Sequence, residues 1–147
     1  MYPRADIPVF EISLDYSFNE WQPKPPQYNY KLASKLAELR RKRALIAESG
    51  NIVHNPRTID FEHVDAKPYR WAVEFDEKVK YDLIHEDREA LLDFETKSTS
   101  ASYAVPTLDH YLPMICVIAL QAKGEPLTFT YEGFQNGSIS MRCFQFG

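Results

Sequence analysis

Residues 44–55 read Ala44-Leu45-Ile46-Ala47-Glu48 and then Ser49-Gly50-Asn51-Ile52-Val53-His54-Asn55. An apolar strand that ends in Ser-Gly-Asn hands the chain to a tight turn. In an α/β fold such a turn delivers the next side chains to the carboxyl edge of a sheet, where ligands bind. Gly50 can adopt a left-handed or closely packed backbone there without steric cost. Ser49 and Asn51 can satisfy backbone groups of the turn, and Ile52 and Val53 can pack beneath it. His54, beside Asn55, is then the first candidate for chemistry. A structural histidine tied to a loop carbonyl is the competing reading of the same residues.

The flanking sequence predicts how that strand is held. Leu32, Leu36 and Leu39 recur at four- and three-residue spacing, which predicts a helix over 28–42. The cluster Arg40-Arg41-Lys42-Arg43 falls at its C-terminus, where cations complement the macrodipole. Residues 7–14, Ile-Pro-Val-Phe-Glu-Ile-Ser-Leu, read as a largely buried strand with Pro8 at its start or on an edge. Strand 7–14, helix 28–42 and strand 44–48 together make a right-handed crossover unit. The proline-rich loop 15–26 carries Trp21 as a packing anchor or interface residue.

Downstream, 56–68 is a loop in which His63 is solvated. Trp71, Phe75, Val79 and Leu83 lie at i, i+4, i+8 and i+12, predicting a helix from Tyr69. Its charges run from acidic Glu74, Asp76 and Glu77 to basic Lys78 and Lys80, the order the dipole prefers. His85 falls in a polar break, a shorter helix covers 88–94, and 96–102 is a small-residue linker. Thr107 is the expected N-cap of a helix whose body is 112–120, with Pro113 near its first turn. His110 then sits on a rigid element beside Asp109, which can orient its ring or stabilise the helix start. Residues 127–131 and 138–146 alternate as strands that can pair antiparallel, and Asn136-Gly137 suits a tight turn between them.

The expected fold class is α/β: a mixed, mainly parallel sheet flanked by helices, with the C-terminal strands adding antiparallel character. At 147 residues one domain spanning 1–147 can bury roughly two thirds of its extended surface. Seventeen Lys and Arg against 21 Asp and Glu leave no basic footprint for unspecific nucleic-acid binding. The longest apolar run, 114–120, is far short of the roughly 20 residues that span a bilayer, and no leader opens the chain. Cys116 and Cys143 are too few for a disulfide framework or a cysteine zinc site and read as reduced core thiols. A cytoplasmic protein without membrane or nucleic-acid partners is the expectation.

Three ordered motifs carry a resemblance: Ser49-Gly50-Asn51-Ile52-Val53-His54-Asn55, Pro106-Thr107-Leu108-Asp109-His110-Tyr111-Leu112-Pro113, and Gly137-Ser138-Ile139-Ser140-Met141-Arg142. Together they resemble the second half of the class III extradiol ring-cleavage dioxygenases, in the branch similar to 4,5-DOPA extradiol dioxygenase. The opening residues 1–9 resemble an internal segment of that family, so the likeness runs along nearly the whole chain. It implies the C-terminal part of a single catalytic domain, with a sheet incomplete relative to the family.

The resemblance implies a catechol-type or DOPA-like substrate, O2, and a mononuclear non-haem Fe(II), with zinc able to occupy the same ligands in a purified sample. His54 matches the family's acid/base histidine and His110 its third metal ligand. Asn55, Tyr111 and Arg142 are candidates for binding substrate or supporting the pocket. The family's two further histidine ligands lie in an N-terminal half that has no counterpart here. Val105 stands where many relatives carry a histidine before proline. A complementary N-terminal chain bearing the two histidines is thus an implied partner, and the isolated chain is not expected to be active. The alternative is an inactive remnant, or a non-enzymatic binding or structural module that keeps the fold.

Overall fold

The computed structural model describes residues 3–4, 6–14, 16–17 and 22–147. Trp21, read above as an anchor, lies outside them.

The helices form where the periodicity asked for them. Pro25-Pro26 starts α1 (Pro26–Ala33), proline being tolerated where no intrahelical N–H bond is needed. A single 3-10 turn, Ser34–Leu36, joins it to α2 (Ala37–Arg41). The helix stops in a Schellman arrangement: the Ala44 N–H donates to the Leu39 carbonyl and the Arg43 N–H to the Arg40 carbonyl. Arg43 takes the left-handed position of that motif, at φ 67°. Arg40 leaves the basic cluster to pair with Glu125 and to donate to the Leu120 carbonyl at 2.6 Å.

The longest element is α3 (Arg70–Ile84), followed by α4 (Arg88–Leu92), α5 (Phe94–Lys97), α6 (Ala101–Ala104) and α7 (Leu112–Ile118). Ala72, Phe75, Val79 and Leu83 of α3 are buried against Leu91, Phe94, Tyr111, Leu112 and Ile115. The Phe94 ring lies 4.4 Å from Tyr111 and 5.9 Å from Phe75, centroid to centroid. Each such side chain removed from water stabilises by about 1.5–3 kcal/mol, which is why these short helices hold together. On the other side of this core, α1 packs on α7.

The sheet differs from the expectation. Strands form three two-stranded antiparallel pairs and no parallel pairing occurs among the described residues. They are β1 (Tyr16–Ser17) with β2 (Gln22–Pro23), β3 (Leu127–Tyr131) with β6 (Cys143–Phe146), and β4 (Phe134–Gln135) with β5 (Ile139–Ser140). Residues 7–14 and 44–48, the two strands expected to lie parallel, have no backbone hydrogen bond within them and no strand beside them among the described residues. A ladder needs a neighbour to accept and donate its bonds, and the apolar patterning of a strand does not supply one. Val9, Phe10, Ile12 and Leu45 accordingly stand 65–79% exposed.

Smaller corrections follow from packing. The strand expected over 138–146 breaks between β5 and β6, where Arg142 turns inward. Residues 96–102 are not a plain linker, because α6 begins there and Ala101 is buried. The helix expected from Thr107 starts only at Leu112, with Pro113 in its first turn, so His110 belongs to the turn before it. Cys116 is half-buried, its thiol pushed up to about 11 by burial and then by Glu48. Cys143 is exposed and is not a core thiol. The Asn136-Gly137 turn joins β4 to β5 with both residues at positive φ, as a tight hairpin requires.

Candidate functional site

The segment 51–55 is laid down between two others. On one side the His54 N–H donates to the Ala104 carbonyl at 2.9 Å and the Asn51 N–H to the His110 carbonyl at 2.9 Å. On the other side His54 bridges Ile139, the Ser140 N–H donates to Val53 at 3.0 Å, and the Ser138 hydroxyl donates to the Asn55 carbonyl at 3.1 Å. Ile52 and Val53 anchor it in the core. His54 is therefore fixed through its own backbone on both edges, as a strand would be.

This clamp brings together two histidines 56 positions apart in sequence. The His54 and His110 rings stack at a centroid distance of 3.7 Å and an interplanar angle of 22°. His110 Nε2 lies 3.6 Å from Asp109 Oδ2. His54 Nδ1 is buried and has no hydrogen-bond partner. Burial first, and then the nearby His110, lower the His54 pKa, against a weaker opposing pull from Asp109. The result is an imidazole held neutral near pH 7, with one desolvated nitrogen able to accept a proton.

Gly50 explains how close the two motifs come. A Cβ added there would lie 2.4 Å from the His110 carbonyl oxygen and 2.8 Å from Pro113 Cγ. The requirement is for close approach rather than left-handed backbone. Beside it opens a groove of about 910 Å³ between residues 43–52 and the face formed by α7 and β6. His110, Met114, Val117, Phe144 and Phe146 are among its walls.

The other sequence-derived residues sit behind the histidines. Asn55 is buried, donating from Nδ2 to the Tyr103 carbonyl at 2.8 Å and accepting the Arg57 N–H at 3.0 Å. Tyr111 is fully buried and its hydroxyl donates to the Leu91 carbonyl at 3.1 Å. The Arg142 side chain is 3% exposed and engages Asp76, Glu77 and Glu132. His63 pairs with Asp60, and His85 stacks on Tyr81, both away from the pair.

Asp76 was read in sequence only as part of the acid-to-base order of its helix. It is buried; Oδ1 accepts the Ser140 hydroxyl at 2.6 Å and Oδ2 accepts Arg142 Nε at 3.0 Å. Ser140 in turn carries the bond to Val53, so a carboxylate on α3 holds the strand that holds His54. A signal existed in the sequence: position 76 falls on the same helix stripe as Ala72, Phe75, Val79 and Leu83. A charged residue on a buried stripe must have a partner.

No group of three His, Cys, Asp or Glu side chains able to hold a metal ion occurs among the described residues. Among them, too, no helix is long and apolar enough to cross a membrane.

This histidine pair on its helical scaffold has counterparts in known proteins, although no family model matches the chain. The chain is homologous to the 4,5-DOPA extradiol dioxygenase family. It is 37% identical over its whole length to the 4,5-DOPA dioxygenase extradiol of Escherichia coli K12. Over 99% of its length it is 25% identical to the Beta vulgaris protein of the same name and 29% to that of Mirabilis jalapa. In each case the match covers 52% of the relative, so the chain spans about half the length of the relatives it matches. The crystal structure of an uncharacterized protein from Escherichia coli K12 superposes with a TM-score of 0.77 and 35% identity, covering 84% of this chain and 51% of that one.

Proposed function

We propose that this chain supplies the C-terminal part of the site of an extradiol dioxygenase, which opens a catechol-type or DOPA-like ring with O2 and non-haem Fe(II). The observation that carries the reading is the stacked His54–His110 pair, with the unpartnered His54 Nδ1 beside a groove large enough for a small aromatic molecule. Homology to enzymes of that name supports it.

The metal fit is partial. Fe(II) of this kind takes three protein ligands, and the described residues offer no such set. His110 is assigned as one ligand, and the other two belong to a polypeptide that completes the site. Zinc can occupy the same nitrogen. Iron, once held, supplies the electron path between the ring and O2 that side chains lack.

The roles of this chain's own residues follow from their surroundings. His54, neutral and desolvated, accepts the proton of a catechol hydroxyl and later returns it, work to which an imidazole near neutral pKa is suited. Asn55 and Tyr111 keep the two motifs in place from behind. Arg142 supports the pocket through β5 rather than from inside it.

The test is oxygen uptake with a catechol after anaerobic loading with Fe(II), using the chain together with the part of the Escherichia coli relative that the match leaves uncovered. His54→Ala is expected to lower turnover about 10²–10⁴-fold while iron stays bound. His110→Ala is expected to lose the iron. Full turnover by His54→Ala, or iron retained by His110→Ala, sinks these assignments. No iron and no uptake in any combination leaves a chain that keeps the fold alone.

A further inference from the structure

The Schellman stop at Arg43 throws the chain out of α2 into a stretch that no other part of the described structure pairs with. From Leu45 to Gly50 no backbone N–H or carbonyl makes a hydrogen bond among the described residues. Contact resumes at Asn51, whose N–H meets His110. The segment is nevertheless apolar, with Leu45 77% exposed and Ile46 half-buried on the groove side. Unpaired backbone flanked by apolar side chains is the signature of a strand edge waiting for a partner. It is the form in which β-augmentation occurs. Residues 7–14 repeat it: no backbone bonds, with Val9, Phe10 and Ile12 outward.

We propose that residues 45–50 dock as a strand onto the open sheet edge of a polypeptide equivalent to the half of the relatives that this chain does not span. Three observations select that occupant. The matched relatives are nearly twice as long as the stretch they share with this chain. The superposed crystal structure likewise extends well beyond it, with 51% covered. The unpaired segment also runs directly into the clamp that holds His54 and His110, so a strand added there brings the partner's side chains to the histidine pair. A site lacking ligands and an edge lacking a neighbour are thereby completed by one chain. The inference rests on the proposed function in naming the occupant, but its readouts involve neither metal nor catechol.

The experiment co-expresses the full 147-residue chain with the uncovered part of the Escherichia coli relative and measures mass by light scattering and amide exchange by mass spectrometry. A one-to-one complex in which amides 45–50 exchange at least about tenfold more slowly than in the chain alone is the expected result. Ala47→Pro removes an N–H that makes no bond in the chain alone, so its circular dichroism is expected to match the parent. The same change weakens the complex on the order of tenfold, because a ladder bond and its geometry are lost. Leu45→Asp is expected to weaken it as well. Absence of a complex, a complex with unprotected 45–50, an Ala47→Pro variant that binds as well as the parent, or protection arising from self-association of the chain overturns the inference. Docking without iron binding or oxygen uptake leaves it standing and removes the proposed function. Oxygen uptake from a complex with unprotected 45–50 does the reverse.

Discussion

At the scale of single residues the site is governed by two buried groups, an imidazole and a carboxylate. The His54 imidazole is held below its ordinary value of about 6.5 by burial and then by His110. The unfolded chain therefore takes the proton first as pH falls. Its contribution to stability is complete above the unfolded pKa and is lost as pH drops through the folded one. Urea midpoints of metal-free protein are expected to fall between pH 7.5 and 5.5, and His54→Gln is expected to make that fall shallower; equal slopes contradict the assignment. Asp76→Ala removes the carboxylate that faces Arg142 in the interior. Breaking a buried pair from one side typically costs about 3–5 kcal/mol, which guanidinium melts would register. Glu77 and Glu132, both partly exposed, remain to hold the guanidinium, so the lower end is expected. The importance of His54 and His110 was legible through three ordered motifs, whereas their contact was not, since nothing in local spacing links positions 54 and 110. Asp76 was written on the apolar stripe of its helix, but naming its partner required knowing where Ser140 and Arg142 come to lie.

Among the elements, those whose periodicity closes on the chain's own core were readable. Helix α3 follows its 3.6-residue stripe, and the β3–β6 pair follows its alternation, because the surfaces they bury are present. Residues 7–14 and 44–48 have the composition of strands but not the neighbours, and a ladder is a property of two segments rather than one. Two junctions offer direct tests. Arg43 occupies the left-handed position that ends α2, where glycine carries no Cβ penalty. Arg43→Gly is expected to stabilise by about 1 kcal/mol, raising the thermal midpoint by a few degrees. Gly50→Ala acts the other way, since its Cβ would meet the His110 carbonyl oxygen, a backbone atom that cannot swing aside. A loss of about 1–3 kcal/mol is expected. Altered chemical shifts for both histidine rings would accompany it, and a variant as stable as the parent would refute the close approach.

For the molecule as a whole, the folded core and the unfinished sheet are separate facts. The helical core, built around α3, Tyr111 and α7, supports a cooperative unit; the outward Val9, Phe10, Ile12 and Leu45 do not take part in it. The chain alone is expected to melt in one transition yet bind iron poorly, and about one iron per assembled pair is expected once the completing polypeptide is present; elemental analysis of both samples decides. The exposed side chains also have a consequence for supply. In a cell, a copy made in excess of its completing polypeptide presents what chaperones and proteases recognise in orphan subunits. The lifetime of this protein is thus set by the synthesis rate of another, and the two must be produced in step.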